Sequence, residues 1–326
     1  MSAGVSGYGP PARLRPLSDV TSRELRPLLQ EEVAFWGREL LWDFSEVSAA
    51  VAGGLERGSL AGQLIESGGR PVAYCYYMTD AGRAVVGSLF AAASVRGRGL
   101  EEALLDAVLT QALDHGNIAR VECQTLFSTC SGADERFRLA GFAGRPRHYL
   151  MRRLVDVPAC APTAYRLRPV RREDLGSVAR VIHRSHVGSL DAALNMTYAT
   201  PGHCRSFVET LVLRSGCGRF DPEASFVAEQ DRREVGVLLA SRLSPGNGHV
   251  CQVSVEPDCQ GQGLGRQLMA ASLAALARQG LKSASLSVTV GNRSAYALYQ
   301  DLGFRLHREF AAHAWARPPA RVEVPA

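Results

Sequence analysis

Residues 250–265, VCQVSVEPDCQGQGLG, decide how the rest of this chain is read. Apolar alternation through Cys251, Val253 and Val255 predicts a strand over 250–255, ended by a turn at Pro257. Leu264, Leu268, Ser272 and Leu276 then recur at steps of four and mark one face of a helix. Between strand and helix lies Gln260-Gly261-Gln262-Gly263-Leu264-Gly265-Arg266. A glycine turn running into a helix start presents orphan backbone N–H groups and the positive end of the helix dipole. With no Cβ in the way, a ligand can approach the backbone closely. This is a socket for a phosphate or pyrophosphate.

Three glycine patterns compete for it. The P-loop requires Gly-Lys-Ser/Thr, whereas Arg266 and Gln267 follow the last glycine here. The dinucleotide fingerprint requires G-x-G-x-x-G and an acidic residue about 20 positions on. Gly261, Gly263 and Gly265 have the wrong spacing, and the region around Ser285 has no such acid. The remaining pattern is Q/R-x-x-G-x-G/A, filled by Gln260, Gly263 and Gly265. It resembles motif A of the GCN5-related N-acetyltransferase (GNAT) superfamily, whose loop holds the pyrophosphate of acetyl-CoA. Downstream, a strand over 283–290, then Asn292, then Ala297-Leu298-Tyr299-Gln300-Asp301-Leu302-Gly303-Phe304 is similar to the ending of the same superfamily.

The pattern is written twice. Arg13-Leu14-Arg15-Pro16-Leu17 recurs as Arg166-Leu167-Arg168-Pro169-Val170. Arg96-Gly97-Arg98-Gly99-Leu100-Glu101 recurs as the loop ending at Gly265, and Gly141-Phe142 recurs as Gly303-Phe304. Landmarks in one order, about 160 residues apart, mark an internal duplication joined near the Pro-rich segment Val157-Pro158-Ala159-Cys160-Ala161-Pro162. The expected fold class is α/β (an α+β mixed sheet): two tandem GNAT-fold domains, each a mostly antiparallel twisted sheet flanked by helices. The expected boundaries are a flexible tail over 1–10, a degenerate copy over 11–157 and an acyl-CoA-binding N-acetyltransferase domain over 163–326. The second copy is about ten residues longer in its first helical region. That region holds His183, His186, Tyr198, His203 and Glu209. It reads either as a specificity loop or as a tolerated surface insertion.

What the resemblance implies for individual residues follows from the motif. Gln260, Gly261, Gln262, Gly263, Leu264, Gly265 and Arg266 would hold pyrophosphate. Backbone groups of Val253 and Val255 would contact the pantetheine and acyl carbonyl, and Asn292 would brace the coenzyme arm unless it caps a turn. Tyr299 matches the tyrosine that protonates the departing thiolate; packed within Tyr296, Leu298 and Leu302, it also reads as a core aromatic. The first copy has Glu101 in place of Gly265, Phe137 in place of Tyr299 and Thr129-Cys130 near the place of Asn292. It is therefore expected to be inactive. For the general base, Glu256 at the end of the fourth strand is the first candidate, with Glu209 and His249 as others. Ser287 stands where related enzymes often carry a glutamate.

Composition sets the remaining bounds. Of 326 residues, 46% are hydrophobic and 21% charged, as in a soluble globular protein, and no apolar run approaches the ~20 residues of a membrane span. The N-terminus lacks the layout of a signal peptide, so a cytoplasmic location is expected. Eight cysteines without C-x-x-C pairs read as free thiols, with no metal expected. The charge of +5 is carried almost entirely by scattered arginines, which disfavours a nucleic-acid partner. The expected function is transfer of an acetyl or short acyl group from acetyl-CoA to a primary amine, on a small molecule in preference to a protein. The alternative is a non-catalytic acyl-CoA-binding or scaffolding protein.

Overall fold

The computed structural model describes residues 12–157, 164–214 and 217–318. The expected N-terminal tail and most of the Pro-rich joint lie outside the described residues. In the first half of the sequence the elements are β1 (Ala12–Pro16), α1 (Ser22–Glu39), α2 (Ser45–Glu56), β2 (Ala61–Ser67), β3 (Arg70–Asp80), β4 (Arg83–Ala91), α3 (Leu100–Asp114), β5 (Arg120–Gln124), α4 (Ala133–Leu139) and β6 (Ala143–Arg153). The second half repeats this order. It runs β7 (Arg166–Pro169), α5 (Leu175–His186), α6 (Leu190–Leu194), α7 (Pro201–Arg214), β8 (Arg219–Phe220), β9 (Phe226–Gln230), β10 (Arg233–Ser244), β11 (Asn247–Val255), α8 (Leu264–Arg278), β12 (Ser283–Thr289), α9 (Arg293–Asp301) and β13 (Arg305–Ala316). The short elements α6 and β8 have no counterpart in the first half. They fall in the region where the second copy is longer.

The chain forms two compact units that cut across the sequence halves. Of the described residues, one takes 12–35, Phe44–Gly144 and 311–318, and the other Trp36–Asp43 and those between Arg145 and Phe310. In the first unit the strand order is β1-β2-β3-β4-β5, followed by the end of β13, whose Ala312–Ala316 pair antiparallel with β5. In the second the order is β7-β9-β10-β11-β12, followed by β6, whose Arg147–Arg153 pair antiparallel with β12. Each unit is thus completed by the last strand of the other half. Neighbours are antiparallel except β4 with β5 and β11 with β12. Parallel neighbours need a crossover, which α3 and α8 supply.

The core of the second unit is built on α8. Leu264, Leu268, Met269, Leu273 and Leu276 are buried with Leu238, Ala240, Val250, Ala284 and Leu286 of the sheet. Each such leucine stabilises by about 1.5–3 kcal/mol, so the apolar face read from the sequence anchors the helix and its loop. On a second cluster, Val178 and Ile182 of α5 pack with Val208 and Leu211 of α7 over Val237 and Leu239. Among the described residues no helix is long and apolar enough to cross a membrane. The seven described cysteines are free thiols.

Candidate functional site

The loop before α8 has the backbone its glycines foretell. Gly261 (φ 74°) and Gly263 (φ 83°) are left-handed, a conformation that costs an L-residue roughly 1–2 kcal/mol. Gly265 lies inside the helix, and a Cβ there would meet only Leu298 Cδ2 at 3.5 Å. The fold itself therefore accepts a side chain at 265. Loop side chains brace the turn. Gln260 Nε2 donates to the Val255 carbonyl at 3.0 Å and Gln262 Nε2 to the Asp258 carbonyl at 2.9 Å. Tyr165 donates its hydroxyl to Gln262 Oε1 at 2.7 Å, and Arg266 pairs with Asp301 at 2.7 Å. What the loop presents to a ligand is backbone: the first-turn N–H groups of α8 have no intrahelical acceptor.

A cleft opens between β11 and β12 for a reason visible in the strand register. β11 pairs with β12 only from Asn247↔Ser283 to Val250↔Leu286. At the same level β10 shifts register, Leu239 facing Gln252 and Ala240 facing Val250, so Cys251 is left without a partner on β10. Such a bulge bends its strand and re-aims its side chains. Beyond it β11 and β12 diverge. Cys251, Gln252 and Val253 form one wall of a narrow cleft of about 80 Å³, and Ser287, Val288 and Thr289 the other. Asn292, Ala295 and Tyr299 of the α9 segment line it too, together with Arg147, His186, Asp191 and Tyr198.

The polar groups of the cleft are held in place. Tyr198 donates to Gln252 Oε1 at 3.1 Å, and its ring stacks on His186 with centroids 3.9 Å apart. His186 Nδ1 lies 2.9 Å from the Ile182 carbonyl, and burial holds the imidazole below its ordinary pKa. Thr289 Oγ1 donates to Asp191 Oδ1 at 2.5 Å. Burial pushes the Tyr299 phenol well up, so it stays protonated at neutral pH, as a proton donor must.

Other residues expected at the site are placed elsewhere or differently. The Glu256 carboxylate is buried and gripped by Arg184, whose Nε lies 2.9 Å from both oxygens, and it does not line the cleft. His249 is buried beside Tyr149, with Nδ1 2.9 Å from Ser285 Oγ, and burial pushes its pKa down to about 3. Glu209 pairs with Arg205 at 2.8 Å along α7. Asn292 lines the cleft and also caps α9, accepting from the Ala295 amide at 3.3 Å. Arg147, Asp191, Gln252 and Thr289 were not foreseen. Arg147 comes from the first half of the sequence, and no local pattern points to it. Asp191 sits in the longer helical region, the one signal that could have flagged it.

The corresponding place in the first unit is closed. Gly97 and Gly99 repeat the left-handed turn at φ 69° and 79°. Glu101, in place of Gly265, is 1% exposed and accepts the Gly97 amide at 2.9 Å. The protein's own carboxylate thus takes an N–H group of the loop. The divergence of β4 and β5 is bridged again at Leu89↔Ser128, where the Thr129 amide donates to the Leu89 carbonyl at 2.9 Å. Thr129 Oγ1 also accepts the Ala91 amide at 3.0 Å. Phe137, in place of Tyr299, is buried and stacked on His313.

The Acetyltransferase (GNAT) family matches residues 23–142 and 194–304. A mycothiol acetyltransferase of Gordonia bronchialis is 30% identical over 234 residues, 64% of this chain and 72% of that protein. A mycothiol acetyltransferase of Kocuria rhizophila is 40% identical over 99 residues, 28% of this chain. The match spans 33% of the Kocuria protein, about a third of its length. Among solved structures, a tandem GNAT protein from the clavulanic acid biosynthesis pathway matches over 95% of this chain and 99% of its own, at TM-score 0.62 and 17% identity. A GCN5-related N-acetyltransferase from Sphaerobacter thermophilus matches over 94% and 96%, at TM-score 0.66 and 20% identity. At these identities the structural likeness speaks for the fold, two GNAT-type halves in one chain.

Proposed function

Because this chain belongs to the GNAT acetyltransferase family, we propose that its second unit transfers an acetyl group from acetyl-CoA to a primary amine of a small molecule. The observation that carries this reading is the divergence of β11 and β12 beyond Val250 and Leu286, with Tyr299 lining the cleft and β11 leading on into the glycine loop that opens α8. Acetyl-CoA fits such a site by its chemistry. Its pyrophosphate pairs with the N–H groups that open α8. Its extended pantetheine offers amide groups to a strand edge that has lost its neighbour, as β11 has on its β12 side beyond Val250. The Val255 carbonyl accepts Gln260 Nε2 at 3.0 Å and the Val253 carbonyl accepts Gln252 Nε2 at 3.4 Å, so the pantetheine would compete with a side-chain amide at either residue.

In the reaction, the neutral amine attacks the thioester carbon and forms a tetrahedral intermediate. As the C–S bond breaks, Tyr299 gives its phenolic proton to sulfur, and the ammonium nitrogen of the intermediate returns a proton to the phenolate. Amide and free thiol are the products. The first unit takes no part in this chemistry. Glu101 occupies its loop, Thr129 bridges its strands and Phe137 has no proton to give. A small-molecule acceptor is favoured by the narrow polar cleft and by relatives named mycothiol acetyltransferases.

Calorimetric titration with acetyl-CoA, followed by an acetyl-transfer assay on a panel of small primary amines, tests the reading. One site per chain and turnover of at least one amine are expected. Two sites would show that the first unit also binds. Binding without any turnover would favour a non-catalytic acyl-CoA-binding role.

A further inference from the structure

The proposed transfer requires a proton acceptor beside the amine, since an alkyl ammonium with pKa near 10.4 is neutral only about once in 2,500 at pH 7. Glu256 is bound up with Arg184 and His249 is buried against Tyr149, and neither lines the cleft. Two side chains that do line it can accept a proton, His186 and Asp191. Asp191 already accepts the Thr289 hydroxyl. His186 is set up differently. The Ile182 carbonyl, 2.9 Å from Nδ1, can only accept, and Ser185 Oγ, also 2.9 Å from Nδ1, donates its proton to the same carbonyl at 2.8 Å, so the imidazole proton sits on Nδ1 and the lone pair on Nε2. The Tyr198 ring fixes the plane of the imidazole, and Gln252 in turn fixes Tyr198.

Resting on the acetyl-transfer reading above, we propose that His186 is the general base of the second unit, its Nε2 taking the proton from the acceptor ammonium before attack. The N–H bond of the ammonium breaks, its electron pair stays on nitrogen to attack the thioester carbon, and the imidazolium later releases its proton to water. Asp191 of α6 faces the same cleft and favours the imidazolium as it forms, whereas His183, on α5 with His186, opposes it. Arg147 of β6, the Cys251 thiol and the hydroxyls of Tyr198 and Tyr299 are the other charged or titratable groups lining this cleft. Burial holds the half-buried imidazole below its ordinary pKa, which favours the neutral ring that a base must be before it acts.

The test is the pH dependence of kcat/KM, expressed on total amine, using an amine from the panel that the wild type acetylates. If His186 acts on the ammonium, kcat/KM rises with unit slope at acid pH and levels off above the histidine pKa, which burial holds below its ordinary value. In H186Q the level part becomes a continuous unit-slope rise toward the pKa of the amine. Near pH 7 its rate is lower by ~10²–10⁴-fold, and acetyl-CoA affinity is unchanged. A wild-type profile that climbs without a plateau overturns the assignment before any variant is made. So does an H186Q protein that keeps the wild-type profile, and so does one that loses acetyl-CoA binding together with rate, which would make the residue a packing element. Failure of the underlying reading is distinct: the wild type would then bind no acetyl-CoA or acetylate no amine.

Discussion

Gly265→Glu transplants into the second unit the residue that the first unit carries at the same place. In the first unit the Glu101 carboxylate reaches the Gly97 amide at 2.9 Å and is 1% exposed. In the second, a glutamate at 265 would find the Gly261 amide in the matching place, inside the proposed pyrophosphate socket. Acetyl-CoA would then have to bind against a carboxylate about 4 Å from a phosphate oxygen. At an effective dielectric near 20 one such pair costs about 4 kcal/mol, or roughly a thousandfold in affinity. Gly265→Ala is the control. Its Cβ would meet only Leu298 at an ordinary 3.5 Å, and the loop glycines that need left-handed backbone are untouched. Calorimetry with acetyl-CoA should show G265A within about tenfold of wild type and G265E without measurable binding. Both variants should melt close to wild type, since an acid at a helix start is neutral or stabilising by about 0.3–1 kcal/mol. Wild-type affinity in a folded G265E protein would refute anion binding at this helix start.

Three further outcomes follow from the geometry. Tyr299→Phe should lower kcat by about 10–1,000-fold with little change in acetyl-CoA affinity, because the substitution removes the phenolic proton and keeps the buried ring; an unchanged kcat removes Tyr299 from the mechanism. His249 is neutral in the fold, its pKa about 3 against 6.5 when unfolded. The unfolded chain therefore binds the proton first, and the stability of the neutral ring, fully present above 6.5, is lost as pH falls. Between pH 7 and pH 4 this amounts to about 3 kcal/mol. Denaturant unfolding of wild type and His249→Gln at both pH values checks it, and equal pH dependence in the two proteins contradicts it. Finally, residues 1–157 and 158–326 expressed separately should each be poorly folded and should recover structure on mixing, because each unit takes its last strand from the other half. A stable, monomeric 1–157 fragment, seen by circular dichroism and size exclusion, would count against the strand assignment.

Much of the fold was legible in the residues because the relevant physics is local. Gly261 and Gly263 announce a left-handed turn, Leu264, Leu268 and Leu276 announce the buried face of α8, and the recurrence of Arg-Leu-Arg-Pro and Gly-Phe announces a duplicated architecture. Tyr299 and Asn292 were picked out by the family resemblance, and both line one cleft. Glu256 looked like a base because it closes the right strand. Its partner Arg184 is distant in sequence, on α5, and no periodicity could reveal that the two would join.

By itself, then, the sequence determined the family, the repeat and the loop whose backbone N–H groups await an anion, since each is carried by short motifs whose residues lie close together in the chain, the repeat by the recurrence of such motifs about 160 residues on. Only the tertiary structure decided which units are compact and what lines the cleft. The strands β6 and β13 reveal their exchange only when paired with β12 and β5, because a strand's neighbour is chosen by long-range hydrogen bonding. The bulge at Cys251 and the early end of the β11–β12 ladder are likewise matters of register. They open the cleft on which His186, Asp191 and Arg147 converge from segments far apart in the chain.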